Sequence, residues 1–324
     1  MLRAGQFSHV VFPRQQKRRR SVDLGPPNAK SRRTATPIAP PLDEASARFV
    51  AWLFGRAGID WRSYRPEPLR RRLPACLRAL RVRSVAGFFE PGSVTTRATT
   101  GVTDPGYREF DAARRRIELY PSALPVALSA MLLGVTELFR DWQVFEQIGR
   151  DLSADVSRSR ASIRVWSAGC SSGAELYSMA ILLSEHGLLE QSTLCGTDCR
   201  QDALASAAEG RFLPPAVEQL PRMYRRYFES SGQSWQACRR LRDKLKWQLA
   251  DITQLNDLGS WDVIFCRNVA MYFEQGTAHA LFRRIENALR PGGLLVLGRA
   301  ERPCPTQRLS LVGPCIYRRG RVGT

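Results

Sequence analysis

Histidine is scarce in this chain, acid is outnumbered, and no long apolar run exists; each shortage narrows what the protein can be. The only histidines are His9, His186 and His279. Imidazole is the side chain whose ordinary pKa suits proton transfer near neutrality, so a reaction needing a general base finds few candidates. His9 lies near the N-terminus, and the other two fall in helical patterns away from any strand end. No segment approaches the ~20 consecutive apolar residues of a membrane span. The basic residues follow Val10-Val11-Phe12 with no apolar stretch after them, which makes a poor signal peptide. The eight cysteines include no C-x-x-C pair and, without a secretory signal, read as reduced, mostly buried thiols of a cytoplasmic protein. Cys195 and Cys199 straddle a strand end with no histidine nearby, a poor zinc pair, and no metal is expected. Thirty acids against 49 Lys and Arg leave a formal charge of +19, which favours acidic partners: nucleic acid, an anionic membrane surface or an acidic protein face.

Much of that charge stands at the start. Arg14, Lys17, Arg18, Arg19, Arg20, Lys30, Arg32 and Arg33 crowd a proline-punctuated stretch, so residues 1–41 read as a disordered basic tail. Residues 42–134 read as a small helical domain. Phe49, Val50, Leu53 and Phe54 share one helical face after Asp43-Glu44. A second helix sets Leu69, Leu73, Leu77 and Leu80 against Arg70, Arg71, Arg72 and Arg78, followed by Arg81 and Arg83, with Pro74 expected to kink or shorten it. The stretch from Pro91 to Gly106 reads as a long loop, with further helices near Leu124–Leu133 and Trp142–Ile148.

From Ser162 strands alternate with helices. Ile163–Trp166 is a strand running into Ser167-Ala168-Gly169-Cys170-Ser171-Ser172-Gly173 and a helix at Glu175–Glu185. Later strands end at Asp198, at Asp251 and at Cys266, and Pro291-Gly292-Gly293 turns into a strand at Leu294–Leu297. Such alternation predicts an α/β fold with a doubly wound, mostly parallel, Rossmann-like sheet over residues 135–324. Residues 210–246 are too long for a simple connection and read as an inserted subdomain. The glycine turn is G-x-x-x-G, without the lysine of a phosphate-binding loop, and Asp198 ends the next strand where a carboxylate can accept from vicinal ribose hydroxyls. A glycine turn and an acidic strand end without a phosphate grip suit an adenosine cofactor lacking a pyrophosphate, S-adenosylmethionine first among them.

The run from Trp166 through Gly169, Gly173, Glu175 and Tyr177 to Ser178 resembles the cofactor loop of chemotaxis receptor methyltransferases, the CheR family. So does Phe265-Cys266-Arg267-Asn268-Val269-Ala270-Met271-Tyr272-Phe273 with the later Leu289-Arg290-Pro291-Gly292-Gly293 turn. Val135-Thr136-Glu137-Leu138-Phe139-Arg140-Asp141 matches that family's interdomain segment. Ala57-Gly58-Ile59-Asp60 through the arginine helix to Phe88-Phe89-Glu90 resembles its N-terminal domain. The resemblance implies a class I S-adenosylmethionine-dependent methyltransferase that esterifies glutamates of a protein, an acidic helical chemoreceptor domain. It further implies that Glu175 holds the cofactor's amino group and Asp198 its ribose. Thr136 and Arg140 would lie at the methionine end, with Asp251 and Asn268 framing the adenine beside Arg267, and Gly169 in the cofactor turn. Arg140 and Tyr272 would orient the acceptor carboxylate. The chain departs from the family at Gly134, where Asn is usual, at Ala174 and Leu176, and at Arg299, where His is usual.

The residues themselves agree with a carboxylate acceptor. A glutamate is already ionised at neutral pH, so methyl transfer to it needs no proton removed, and an enzyme without an evident base can supply position alone. A nucleic-acid methyltransferase is the first alternative, motivated by the charge. Cys266-Arg267-Asn268-Val269 stands where base-modifying enzymes carry Asn/Asp-Pro-Pro-aromatic, which argues against a nucleic-acid partner. A non-catalytic module binding S-adenosylmethionine or partners through the arginine helix is the second.

Overall fold

A computed structural model describes residues 41–82, 105–134, 136–156, 162–304 and 306–320. The basic stretch 1–40, Arg83, Phe88-Phe89-Glu90, most of the expected 91–106 loop and Val135 lie outside the described residues. Helix α1 (Glu44–Gly55) starts at Asp43, whose carboxylate accepts from the Ser46 N–H at 2.9 Å. A 3-10 turn at Trp61–Ser63 leads into α2 (Pro66–Ala79), with Pro66 at its first position. Pro74 does not shorten α2, which runs on to Ala79: the ring is exposed, where water can replace the backbone bond that proline removes. Helix α3 (Pro105–Leu119) is not among the expected elements; its inward stripe of Phe110, Ala113 and Ile117 is interrupted by Arg114, Arg115 and Arg116. It is followed by α4 (Ala123–Met131) and α5 (Trp142–Val156), the latter longer than its apolar pattern suggested.

Strand β1 (Arg164–Ala168), α6 (Ala174–Glu185), β2 (Thr193–Asp198) and α7 (Gln201–Glu209) form the first βαβ unit. Next come β3 (Arg211–Phe212), α8 (Pro214–Glu218), α9 (Arg222–Arg225), β4 (Phe228–Ser231), β5 (Ser234–Ala237) and α10 (Arg239–Arg242), in which the strands make a separate antiparallel sheet ordered β3-β5-β4. The main sheet resumes with β6 (Leu245–Leu249), β7 (Trp261–Cys266), α11 (Gln275–Ala288), β8 (Leu289–Leu297), β9 (Leu309–Gly313) and β10 (Ile316–Arg319). Its order is β6-β2-β1-β7-β8-β10-β9, parallel except where β10 meets β8 and β9. The fold is thus the doubly wound, mostly parallel α/β class. Strand β8 begins earlier than expected, taking the Pro291-Gly292-Gly293 turn into itself as an irregularity in its pairing with β7. From β1 the chain winds outward one way to β2 and β6, then returns to β7 on the other side, so a crevice opens at the carboxyl ends of β1 and β7.

Alternation along β1 divides the interior. Trp166 and Ala168 pack with α1, α2, α4 and α11 in one apolar cluster, while Val165 joins α5, α6 and the residues of the smaller sheet in another. The helical segment 42–131 therefore shares its core with one face of the main sheet. Cys76, Cys170 and Cys266 are buried and the other five cysteines only half-buried, so the expectation of mostly buried thiols holds for three; all eight are free. No helix among the described residues is long and apolar enough to cross a membrane.

Candidate active site

The crevice at the strand ends is a cleft of about 650 Å³, and Thr136, Arg140, Gly169, Glu175, Asp198, Asp251, Arg267, Asn268 and Tyr272 all line it. The chain leaves β1 through Gly169 (φ +75°) and enters α6 through Gly173 (φ +79°), left-handed conformations that favour glycine. The N–H groups of Gly169 and Cys170 both donate to the Thr197 carbonyl, at 2.8 and 3.0 Å, tying the turn to the end of β2. The first turn of α6 then delivers Glu175 into the cleft.

Glu175 accepts from the Ser167 hydroxyl at 3.0 Å and from Arg267 at 3.1 Å. Burial pushes its carboxyl above the ordinary range, against the downward pull of Arg267. Arg267 also donates to the Arg140 carbonyl at 3.0 Å and pairs with Asp141, whose other oxygen meets the exposed Arg299 at 2.5 Å. The residue that departs from the family at 299 is thus held by an acid one position beyond Arg140. Arg140 itself sits between two residues in left-handed backbone, Phe139 (φ 52°) and Asp141 (φ 58°). Phe139 is fixed by stacking on Tyr224, with ring centroids 4.7 Å apart, and by its N–H donating to Ser178 Oγ at 2.8 Å.

Asp198 is buried. Its Oδ2 accepts from the Ser171 N–H at 2.8 Å, and its Oδ1 accepts from the main-chain N–H and Nε of Arg200 at 3.0 and 3.3 Å. Asp251 uses Oδ1 for the N–H and hydroxyl of Thr253 at 2.9 and 2.8 Å, while its Oδ2 is buried with no hydrogen-bond partner among the described residues. Asn268 follows β7 in left-handed backbone (φ 58°). A buried carboxylate holds it there: Glu301 accepts from the N–H groups of Asn268 (2.7 Å), Val269 (2.9 Å), Met271 (3.2 Å) and Gly298 (2.8 Å).

Tyr272 is joined to the other wall by backbone. The Arg65 N–H donates to the Tyr272 carbonyl at 2.8 Å and the Glu274 N–H donates to the Ser63 carbonyl at 2.9 Å, around an antiparallel bridge of Tyr64 and Phe273. This brings the start of α2, with Arg65, Arg71 and Arg72, to the rim of the cleft. Neither His186 nor His279 lines it. Two cysteines do, but burial pushes Cys199 up to about 12 and Cys170 well above its ordinary value, so both stay protonated and neither is a thiolate nucleophile.

Three polar residues of this site had no assigned role in the sequence. Arg200 was visible only as a charge two positions past the acidic strand end. Asp141 closed the interdomain motif without a function, and Glu301 stood in a segment noted only for Arg299. The arrangement fits S-adenosylmethionine. The Glu175 carboxylate can face a cationic amino group, Asp198 ends its strand where a carboxylate can accept from vicinal hydroxyls, and the orphaned Oδ2 of Asp251 can accept from an exocyclic amine.

Comparison with known proteins agrees with this chemistry. The family model described as "CheR methyltransferase, SAM binding domain" matches residues 134–311. Chemotaxis protein methyltransferase 2 of Vibrio cholerae is 31% identical over 269 residues, covering 80% of this chain and 85% of that one. Chemotaxis protein methyltransferase 1 of Pseudomonas aeruginosa is 28% identical across 67% of this chain and 84% of its own length. The chemotaxis protein methyltransferase of Listeria innocua is 32% identical across 54% and 67%. The chain belongs to the CheR methyltransferase family, with S-adenosylmethionine as its methyl donor.

Proposed function

We propose that this methyltransferase esterifies glutamate side chains of a cytoplasmic protein domain, a chemotaxis-type receptor, and that the acceptor arrives as an acidic helix. The observation that carries the reading is the composition of the cleft wall. A guanidinium, Arg140, and a phenol, Tyr272, line it together with the carboxylates, and no described histidine does. When bound, S-adenosylmethionine supplies a sulfonium methyl, whose transfer to a carboxylate gives an ester and a neutral thioether without moving a proton. What remains for the protein is orientation, for which a cation and a hydroxyl donor are the right types. Glu175 holds the donor's ammonium, Asp198 its ribose, Asp251 and Asn268 frame the adenine beside Arg267, and Thr136 closes the methionine end. In this reading the helical segment 42–134 faces the substrate and residues 210–246 are an insertion. Incubation with methyl-labelled donor, chemoreceptor cytoplasmic fragments and nucleic acid tests it. Label that leaves the protein as methanol in mild base is expected; base-stable label, or label on nucleic acid, overturns the reading.

The assignment of Glu175 predicts a pH dependence. The bound ammonium needs the ionised carboxylate, and burial raises the pKa of the Glu175 carboxyl. Affinity for S-adenosylhomocysteine is therefore expected to be level above that pKa and to fall about tenfold per pH unit below it. The decline sets in at a higher pH than an exposed glutamate would give. Calorimetry across pH 4–8 reads this out, and Glu175→Gln should bind weakly at every pH with the slope abolished.

The rim of α2 predicts a salt dependence. Arg65, Arg71 and Arg78 are exposed, and Glu67, 3.3 Å from Arg71, is a single acid among them. If these cations steer an acidic helix, kcat/KM falls as salt shortens the screening length from ~10 Å at 0.1 M to ~3 Å at 1 M. Reversing both Arg71 and Arg78 to Glu should lower kcat/KM about tenfold at low salt and flatten the dependence. An unaltered salt slope in that variant would remove α2 from substrate capture.

A further inference from the structure

The Asp198 carboxylate is already well supplied with donors. A carboxylate has about four acceptor positions. Three are used here: one by the Ser171 N–H, one by the Arg200 N–H and one by the Arg200 Nε. The two hydroxyls of a ribose need two, and one remains. The main-chain donors are fixed by the fold, so the only contact that can yield is the guanidinium. Arg200 is buried within the cleft, and its terminal nitrogen also donates to Ser171 Oγ at 3.0 Å, while that hydroxyl donates to the Gly134 carbonyl at 3.0 Å.

Gly134 makes this placement possible. A Cβ built there would stand 2.0 Å from the Arg200 terminal nitrogen and 2.5 Å from Ser171 Oγ, so any side chain at 134 would displace the guanidinium. The glycine that departs from the family and the arginine beside the ribose carboxylate are thus one feature.

We propose that Arg200 is a cofactor-affinity determinant. It occupies the third acceptor position of Asp198, and ribose binding must displace its Nε, so this chain binds and releases S-adenosylmethionine and its product more loosely than Asp198 alone would dictate. The proposal rests on Asp198 being the ribose ligand, and it makes no claim on the methyl-transfer step. Removing the guanidinium frees a charge-assisted acceptor, a change of about tenfold in affinity.

Calorimetry with S-adenosylhomocysteine, adenosine and 2′,3′-dideoxyadenosine tests it on the full chain. Arg200→Ala should bind the first two about tenfold more tightly and leave dideoxyadenosine unchanged. Gly134→Ala supplies a route that keeps the arginine. Its Cβ should push the guanidinium aside and give a similar gain, and in the Arg200→Ala background it should add nothing, since both act through one contact. Unchanged or weakened adenosine binding in folded Arg200→Ala and Gly134→Ala overturns the proposal. Asp198→Ala separates it from the underlying assignment. If that variant still prefers adenosine to dideoxyadenosine as strongly as the parent, Asp198 is not the ribose ligand and the proposal falls with it. If the preference vanishes while Arg200→Ala shows no gain, the ribose assignment stands and the role of Arg200 is lost.

Discussion

Arg140→Ala is expected to slow methyl transfer by about 100-fold while changing S-adenosylhomocysteine affinity less than about threefold. The expectation follows from how the segment is held. Phe139 is anchored through its ring and its N–H, Asp141 through Arg267 and Arg299, and Arg267 grips the main-chain carbonyl of Arg140. None of these contacts uses the Arg140 guanidinium, so each of them survives truncation of that side chain. One side effect needs control: Arg140 helps lower the Glu175 pKa, so measurements belong well above the range in which that carboxyl titrates. Single-turnover rates set beside calorimetric affinities give the answer. A raised KM with unchanged kcat would show that Arg140 binds the acceptor without aiming it. Tyr272→Phe removes one hydroxyl donor and is expected to cost about tenfold in the same rate.

The second large effect is on stability. Glu301 gathers four backbone N–H groups from Asn268 to Gly298, and all four lose their acceptor when its side chain is cut back. A buried donor left unmatched costs about 1–3 kcal/mol, and cleft water can rescue those nearest the opening, so Glu301→Ala is expected to destabilise the fold by about 3–5 kcal/mol. Glu301→Gln keeps the shape but turns an N–H donor toward other donors, so it should recover little. Denaturant titration measures the loss. In whatever fraction stays folded, S-adenosylhomocysteine binding should weaken too, because the left-handed turn at Asn268 is held from behind by this carboxylate. A loss under about 1 kcal/mol would mean that other contacts fix the turn.

The parts of the fold legible beforehand were those written in short-range patterns. The strand-turn-helix around Gly169 and Gly173 announces itself through apolar residues followed by glycines, and the acid at Asp198 follows at the next strand end. The nine residues expected to meet did come to one cleft, because strand ends of a doubly wound sheet converge at its switch point. What could not be read was set by tertiary partners. Helix α3 carries Phe110, Ala113 and Ile117 at helical spacing, but three consecutive arginines interrupt the stripe, and it gains meaning only against α1, where Phe110 stacks on Phe49. Strands β9 and β10 follow a segment with no clear alternation and are fixed by pairing, β10 to β8 and β9 to β10. Glu301 looks like an ordinary surface acid until its four donors, from two separate segments, are seen around it. Arg200 is similar: nothing local says that a charge after Asp198 folds back onto it, since that depends on a glycine 66 positions earlier leaving space.

The backbone bridge at Tyr64 and Phe273 bears on retargeting. Grafting a relative's helices onto this sheet, with a junction near residue 134, would seem a natural way to change which receptor is modified. Yet Ser63 and Arg65 hydrogen-bond to Glu274 and Tyr272, so the start of α2 and Tyr272 are registered to each other across that junction. A chimera would inherit one half of the bridge from each parent. Successful exchanges are expected to carry residues 270–274 together with the helices, transplanting a discontinuous unit rather than an N-terminal block.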